Sequence, residues 1–157
     1  MPGTTPSGTP RYSAPDHLLI TNLIHRYAEL VDGGDFEGLG ALFAHGELYA
    51  TEGAVRGSAA VREHFASWVH LHEDGSPHTR HVTTNVIVEV ADDAQTARAR
   101  SYVTVLQYGP GGMLRPIFFV RYFDTFHRVD GEWAFASRRY AEPAAGPAEE
   151  HLKRDYR

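Results

Sequence analysis

Apolar positions in the first third of the chain predict an amphipathic helix. They recur at the spacing of one helical face, at Leu19, Leu23, Ile24, Tyr27, Ala28 and Val31. Asp32 lies four residues after Ala28, so it continues this core-facing stripe at the end of the helix, where the macrodipole disfavours negative charge. We expect burial and the dipole to raise the pKa of Asp32, as they do for a general acid or base.

A second interpretation of Asp32 stays open, because Asp32-Gly33-Gly34-Asp35 is also a good turn sequence. Glycine supplies positive φ after a helix, and Asp35 is a good N-cap for a short second helix. A brief strand over 47–51 and a third helix capped by Ser58 follow. In this interpretation, Asp32 only forms the turn.

The second half of the chain changes to β-type patterns. Four runs rich in β-branched and aromatic residues follow one another, separated by short turns: HVTTNVIVEV, TARARSYVTVLQY, RPIFFVRYFDTFHRV and EWAFASRRYAE. The last turn, Asp130-Gly131, is typical of a type I′ hairpin. We predict an α+β fold, a cone-shaped barrel in which a curved, mostly antiparallel β-sheet packs on three N-terminal helices and leaves a pocket between them.

His81 begins the first long strand, and counting by two separates the two faces of that strand. One face carries His81, Thr83, Asn85 and Ile87, and the other is expected to be a packed wall of Val82, Thr84, Val86, Val88 and Val90. Tyr27, Asp32 and His81 together supply a hydrogen-bond donor, a carboxylate and a group that titrates near neutrality. Such a set can polarise a carbonyl and move one proton.

Composition narrows the classes of function. The chain has 157 residues, a net charge of −5 and no cysteine, with no long run of like charge or of apolar residues. We therefore expect one domain over 15–141, with no nucleic-acid or membrane partner and a cytoplasmic location. Residues 1–14 are expected to be a disordered leader, and 142–157 a mobile C-terminal tail.

Other constellations give weaker signals. His70 and His72 are two residues apart and point in different directions, and there is no HExxH pattern, so no metal site is predicted. There is no phosphate loop and no nucleophile motif. Several arginines lie on the predicted strands and could hold an acidic substrate, although paired surface charge is their commoner role: Arg115, Arg121, Arg138 and Arg139.

The segments RYAELVDGGDFEGLGALF, TRHVTTN and VDGEWAF, in that order, resemble the nuclear transport factor 2-like superfamily. Within it, the chain is similar to the branch of SnoaL-like polyketide cyclases, scytalone dehydratase and bile acid 7α-dehydratase, over about residues 16–141. The resemblance implies catalytic roles for Tyr27, Asp32 and His81, a pocket position for Tyr49, no cofactor, and a homodimer formed through the outer sheet face.

The resemblance also sets the expected activity. It implies a cofactor-free lyase or isomerase, that is, a dehydratase, cyclase or isomerase acting on a hydrophobic, carbonyl-bearing ring of polyketide, terpenoid or steroid type. Relatives often carry another His or Asp on the next strand, but here that strand offers no general base. Candidate substrate contacts are Tyr49, Trp68, Tyr102, Gln107, Phe118 and Tyr122.

Two alternatives without catalysis remain. One is a small-molecule-binding or scaffolding module, in which Asp32 bonds only to the following loop. The other is the small subunit of a ring-hydroxylating dioxygenase, which would need a large partner subunit.

Overall fold

Three helices precede a long sheet in the computed structural model, which describes residues 15–50, 52–146 and 151–153. The helices are α1 (Asp16–Asp32), α2 (Phe36–Leu42) and α3 (Gly57–Trp68), and a single 3₁₀ turn covers Pro110–Gly112. The strands are β1 (Glu47–Ala50), β2 (Gly53–Arg56), β3 (Thr79–Val90), β4 (Thr96–Tyr108), β5 (Leu114–Val129) and β6 (Glu132–Ala145). The leader predicted over 1–14 lies outside the described residues.

The sheet has the strand order β2-β1-β6-β5-β4-β3 and is antiparallel except where β1 runs parallel to β6. The α+β prediction is therefore confirmed, and within the described residues β2 and β3 are free edges, so the sheet does not close. Asp130 and Gly131 both have positive φ, 50° and 84°, as the predicted type I′ hairpin requires. The strand predicted over 47–51 is in fact the first arm of the β1–β2 hairpin.

The helices cover one face of the sheet with the apolar stripe that the sequence predicts. Ile24, Tyr27 and Val31 of the predicted stripe are at most 2% exposed and belong to the hydrophobic core cluster. Asp35 caps α2, because its Oδ1 accepts a hydrogen bond of 2.8 Å from the Gly38 N–H. The third helix begins one residue before its predicted cap Ser58.

A β-bulge at Asn85 exchanges the two faces of β3, and the predicted valine wall is wrong for this reason. Asn85 has a left-handed φ of 53°, and the pairing with β4 shifts register between Thr84 and Ile87. Before the bulge, Val82 points outward and is 43% exposed, whereas Val86 after it packs against the core. One strand can thereby present His81 on the helix-covered face and valines on the same face further along.

A second bulge in β6 has the same effect. Phe135 pairs with Phe126 of β5, but Ser137 pairs with the adjacent Thr125, so β6 carries one extra residue between them. Burial therefore passes from Phe135 to Arg138, both of which are 0% exposed. Without the extra residue, Arg138 would point to solvent.

The outer face of the sheet exposes several large apolar side chains: Val82, Tyr102, Phe119 and Phe123 are 39% to 52% exposed. The homodimer predicted through this face stays a prediction. None of the helices in the described part of the chain is long and apolar enough to cross a lipid bilayer.

The bulge at Asn85 generates the first prediction. A β-branched residue strongly disfavours left-handed φ, so Asn85→Val should lower the free energy of unfolding by roughly 1–2 kcal/mol. Asn85→Gly should stay within about 0.5 kcal/mol of the native protein, because glycine adopts this φ freely. Urea denaturation measures both variants, and a valine variant as stable as the native protein would contradict this account of the bulge.

Candidate active site

A cavity of about 160 Å³ lies between α1, α3 and the inner face of the sheet. Apolar cavities of about 150 Å³ accept a benzene ring, so the space suits one six-membered ring. Most of its wall is apolar, and its polar lining side chains are Tyr27, His64, His81, Tyr122, Tyr140 and His151. Tyrosine hydroxyls and imidazole nitrogens are thus the groups available for chemistry.

Asp32 and His81 form a closely bonded pair at this cavity. His81 Nδ1 lies 2.7 Å from Asp32 Oδ1, and the His81 backbone N–H donates to Oδ2 at 2.8 Å. Thr79 Oγ1 donates a third hydrogen bond to Oδ1 at 2.8 Å. These bonds join the last residue of α1 to the first three residues of β3. The aspartate therefore bonds to the strand rather than to the loop that follows the helix.

The pKa of Asp32 is lowered, contrary to the expectation from sequence. Burial alone would raise it, but the hydrogen bonds from His81 and Thr79, together with the positive charge that the His81 ring carries when it is protonated, outweigh that effect. Asp32 is therefore a carboxylate at neutral pH, and it accepts the Nδ1–H of His81. This hydrogen bond fixes the tautomer of a neutral His81 ring, so that Nε2 carries the lone pair and can accept a proton.

Three tyrosines form a second polar group at the cavity. The hydroxyls of Tyr27 and Tyr140 are 2.8 Å apart, and the Tyr122 ring lies 5.9 Å and 5.3 Å from the rings of Tyr27 and Tyr140. Burial raises the pKa of all three hydroxyls, which therefore stay protonated and act as hydrogen-bond donors.

A buried ion pair supports these tyrosines from behind. Arg138 donates two hydrogen bonds to Asp124, of 2.8 Å and 2.7 Å, and both side chains are fully buried. Its guanidinium carbon lies 4.1 Å from the Tyr27 ring centre and 4.0 Å from that of Tyr122. Burial would lower the pKa of Arg138, but the charge of Asp124 raises it, so the guanidinium stays charged.

The structure brings together five of the predicted site residues at the cavity. Tyr27, His81, Trp68, Phe118 and Tyr122 line it. The sixth, Asp32, stands behind His81, with a side chain 13% exposed.

Three predicted substrate contacts lie elsewhere. Tyr49 alternates with the buried Leu48, so its ring leaves the cavity and lies 4.4 Å from the guanidinium carbon of Arg139. Tyr102 is 47% exposed on the outer face. Gln107 is buried at the end of β4, where its Nε2 donates to the Pro77 carbonyl at 3.3 Å. These three residues do not line the cavity.

Sequence reasoning missed Tyr140, Arg138 and His151. Strict alternation from the buried Phe135 places Tyr140 outside, and only the bulge reverses this. For Arg138, the sequence left open a contact to an acidic substrate or paired surface charge, and neither interpretation gave it the buried ion pair with Asp124 on the neighbouring strand. His151 lies in the tail predicted to be mobile, whereas β6 extends to Ala145 and residues 151–153 contact α3.

Comparison with known proteins assigns the chain to a family. A model of the SnoaL-like domain matches residues 13–139. No curated protein sequence matches the chain.

Solved structures share the fold. A protein of unknown function from Mycobacterium tuberculosis is 26% identical, with a TM-score of 0.66 over 85% of this chain and 74% of its own. An NTF2-like protein with a cystatin-like fold from Novosphingobium aromaticivorans is 25% identical, with a TM-score of 0.66 over 80% of each chain. Another protein from that organism, provisionally assigned as a scytalone dehydratase, is 23% identical, with a TM-score of 0.61 over 82% of this chain and 86% of its own.

The buried ion pair generates the second prediction. Arg138→Met leaves the Asp124 carboxylate buried and unpaired, and should cost about 3–5 kcal/mol of unfolding free energy. The double variant Arg138→Met/Asp124→Leu should recover at least half of that loss, because no unpaired charge remains. The exposed pair of Arg100 and Glu89 supplies the control, since Arg100→Met should cost about 0–1 kcal/mol. Chemical denaturation distinguishes these cases, and a double variant no more stable than Arg138→Met refutes the argument.

The lowered pKa of Asp32 generates a third prediction. Its ordinary value is 3.8 and its folded value is lower, so its contribution to stability is present above 3.8 and is lost as pH falls through the folded pKa. The part of the stability difference between the native protein and Asp32→Asn that comes from this carboxylate should therefore shrink as pH is lowered from about 5 to about 2. Urea denaturation at each pH measures it, with the exposed Asp92→Asn as control. A difference that stays constant contradicts the lowered pKa.

Proposed function

Since this chain belongs to the family of SnoaL-like domains, we propose that it is a cofactor-independent dehydratase, cyclase or isomerase. Its substrate is a hydrophobic, carbonyl-bearing ring of polyketide, terpenoid or steroid type. The observation that carries the proposal is the hydrogen bond between Asp32 and His81, because it orients one imidazole beside a ring-sized cavity that also contains tyrosine hydroxyls.

His81 acts as the proton-transferring group in this proposal. Its Nδ1–H is held by the ionised Asp32, so Nε2 takes a proton from the substrate carbon next to the carbonyl. The imidazolium that forms is stabilised by the same carboxylate, 2.7 Å away. Asp32 thus orients and stabilises the base and does not itself gain the proton, which differs from the role expected for a carboxyl of raised pKa.

The tyrosines stabilise the negative charge that develops on the carbonyl oxygen. Of Tyr27 and Tyr140, one hydroxyl donates to the other, and the accepting hydroxyl is left with its own hydrogen to donate to the substrate. Arg138 lies against the ring faces of Tyr27 and Tyr122 and adds positive charge without contacting the cavity. Tyr140 therefore takes the place that the sequence assigned to Tyr49.

Dehydration, double-bond isomerisation and cyclisation share this enolisation step. The cavity volume of about 160 Å³ fits one ring of the substrate, and its largely apolar wall, which includes Trp68 and Phe118, favours a hydrophobic ring. The position of Asp32 argues against the non-catalytic alternative, because its three hydrogen bonds go to Thr79 and His81.

The fourth prediction tests the shared step without knowledge of the substrate. The protein should accelerate exchange of the α-hydrogens of cyclohexanone for deuterium in D₂O, as measured by proton NMR. Asp32→Asn should slow the catalysed exchange about 100-fold or more, because the correct tautomer of His81 is lost. Tyr27→Phe should slow it about 100-fold, because the hydrogen-bonded pair of hydroxyls that donates to the enolate oxygen is broken.

Matched variants control for general effects of substitution. Asp92→Asn changes an exposed aspartate in the turn after β3, and Tyr102→Phe changes an exposed tyrosine on the outer face. Both should keep the native exchange rate. Failure of the native protein to accelerate exchange in this ketone, or equal rates in Asp32→Asn and the native protein, would reject proton-transfer catalysis by this pair.

A further inference from the structure

Residues 151–153 lie against the end of α3 and close one side of the candidate active site. The His70 N–H donates to the His151 carbonyl at 2.9 Å, and the Lys153 N–H donates to the Trp68 carbonyl at 3.0 Å. These bonds flank an antiparallel β-bridge between Val69 and Leu152. The backbone therefore fixes the position of His151, whose ring lines the same cavity as the catalytic candidates.

The His151 ring is buried but not fully satisfied. His151 is only 5% exposed, and its ring lies 6.1 Å from the ring of Phe118. Its Nδ1 has no hydrogen-bond partner among the described residues. Burial, with a smaller effect from the charge of His81, lowers the pKa of His151 to about 4. The ring is thus neutral near pH 7, with one donor and one acceptor nitrogen.

His151 contacts the beginning of β5, whereas two of the tyrosines, Tyr122 and Tyr140, lie further along the sheet. Phe118, which contacts His151, precedes Tyr122 by four residues on β5, or about 13 Å along the strand. His81 and Phe118 both pair with the same residue of β4, whereas Tyr140 pairs with Tyr122. His151 therefore lies at the level of His81, whereas the strand positions of Tyr122 and Tyr140 lie further along the sheet.

We propose that His151 is a specificity residue that hydrogen bonds a second oxygen of the substrate, across the ring from the carbonyl held by the tyrosines. The inference rests on the proposed function, and it narrows the substrate class. The substrate is a ring that carries a hydroxyl or a second carbonyl opposite the first, because an apolar ring edge would leave the imidazole nitrogens unpaired.

The fifth prediction compares two ligands that differ by one hydroxyl, cyclohexanone and 4-hydroxycyclohexanone. The second lacks a β-hydroxyl, so its binding can be measured without elimination of water. Of the two tryptophans, only Trp68 lines the cavity, so Trp68 fluorescence in the Trp133→Phe background reports binding. This protein should bind 4-hydroxycyclohexanone about three- to tenfold more tightly than cyclohexanone, as expected for one net hydrogen bond.

Variants of His151 separate hydrogen bonding from packing. The His151→Phe variant should bind both ligands with the affinity that the protein with native His151 shows for cyclohexanone. The His151→Gln variant should keep part of the preference for the hydroxylated ligand. His25→Phe, at an exposed position of α1, should keep all of it. Thermal unfolding verifies that each variant is folded, and His151→Leu replaces the phenylalanine variant if that one is not.

Three results overturn the inference. The first is that the native protein shows no preference for the hydroxylated ligand. The second is that the apolar variants of His151 keep the native preference. The third is that these variants lose the same affinity for both ligands, which would show that His151 only packs against the ligand. The binding readout is independent of turnover. If the native protein exchanges deuterium but shows no preference for the hydroxylated ligand, the role of His151 alone is rejected. If the native protein shows the preference but does not accelerate exchange, the proposed catalysis is rejected.

Discussion

The three hydrogen bonds that Asp32 accepts hold the site together. They join the end of α1 to the beginning of β3, two elements 47 to 49 residues apart along the chain. A carboxylate this far out of water is stable only because Thr79 and His81 satisfy it. The same bonds fix the tautomer of the imidazole, so one contact serves both the packing of the helix on the sheet and the chemistry of the cavity.

The buried ion pair of Arg138 and Asp124 has a related role behind the tyrosines of the cavity. Arg138 and Asp124 are adjacent in the register of β6 and β5, and their ion pair places a permanent positive charge under two tyrosine rings. Burial raises the pKa of the Tyr27 and Tyr122 hydroxyls, and the positive charge of Arg138 partly offsets that increase. The tyrosines can then serve as strong donors to a developing enolate while remaining protonated in the free protein.

Both halves of the site depend on bulges. The left-handed Asn85 lets β3 carry His81 and the later valines on one face, and the extra residue in β6 turns Arg138 and Tyr140 inward after Phe135. A regular sheet with this sequence would expose either the core residues or the site residues on each strand. Bulges next to active sites re-aim side chains in this way, and here they place polar groups on a face that is otherwise core.

The sequence alone determined the helical stripe of α1, the four long strands and the Asp130-Gly131 hairpin, because each follows from local periodicity or turn chemistry. Its resemblance to known proteins indicated that Tyr27, Asp32 and His81 lie in one site. Only the tertiary structure decided the pKa direction of Asp32, which depends on donors supplied by a distant strand. It also decided which residues line the cavity, since a single extra residue in a strand reverses every later side chain, and no periodic count contains that residue. His151 lies at the site for a different reason, because residues 151–153 make backbone hydrogen bonds at the end of α3, and composition does not predict these long-range contacts.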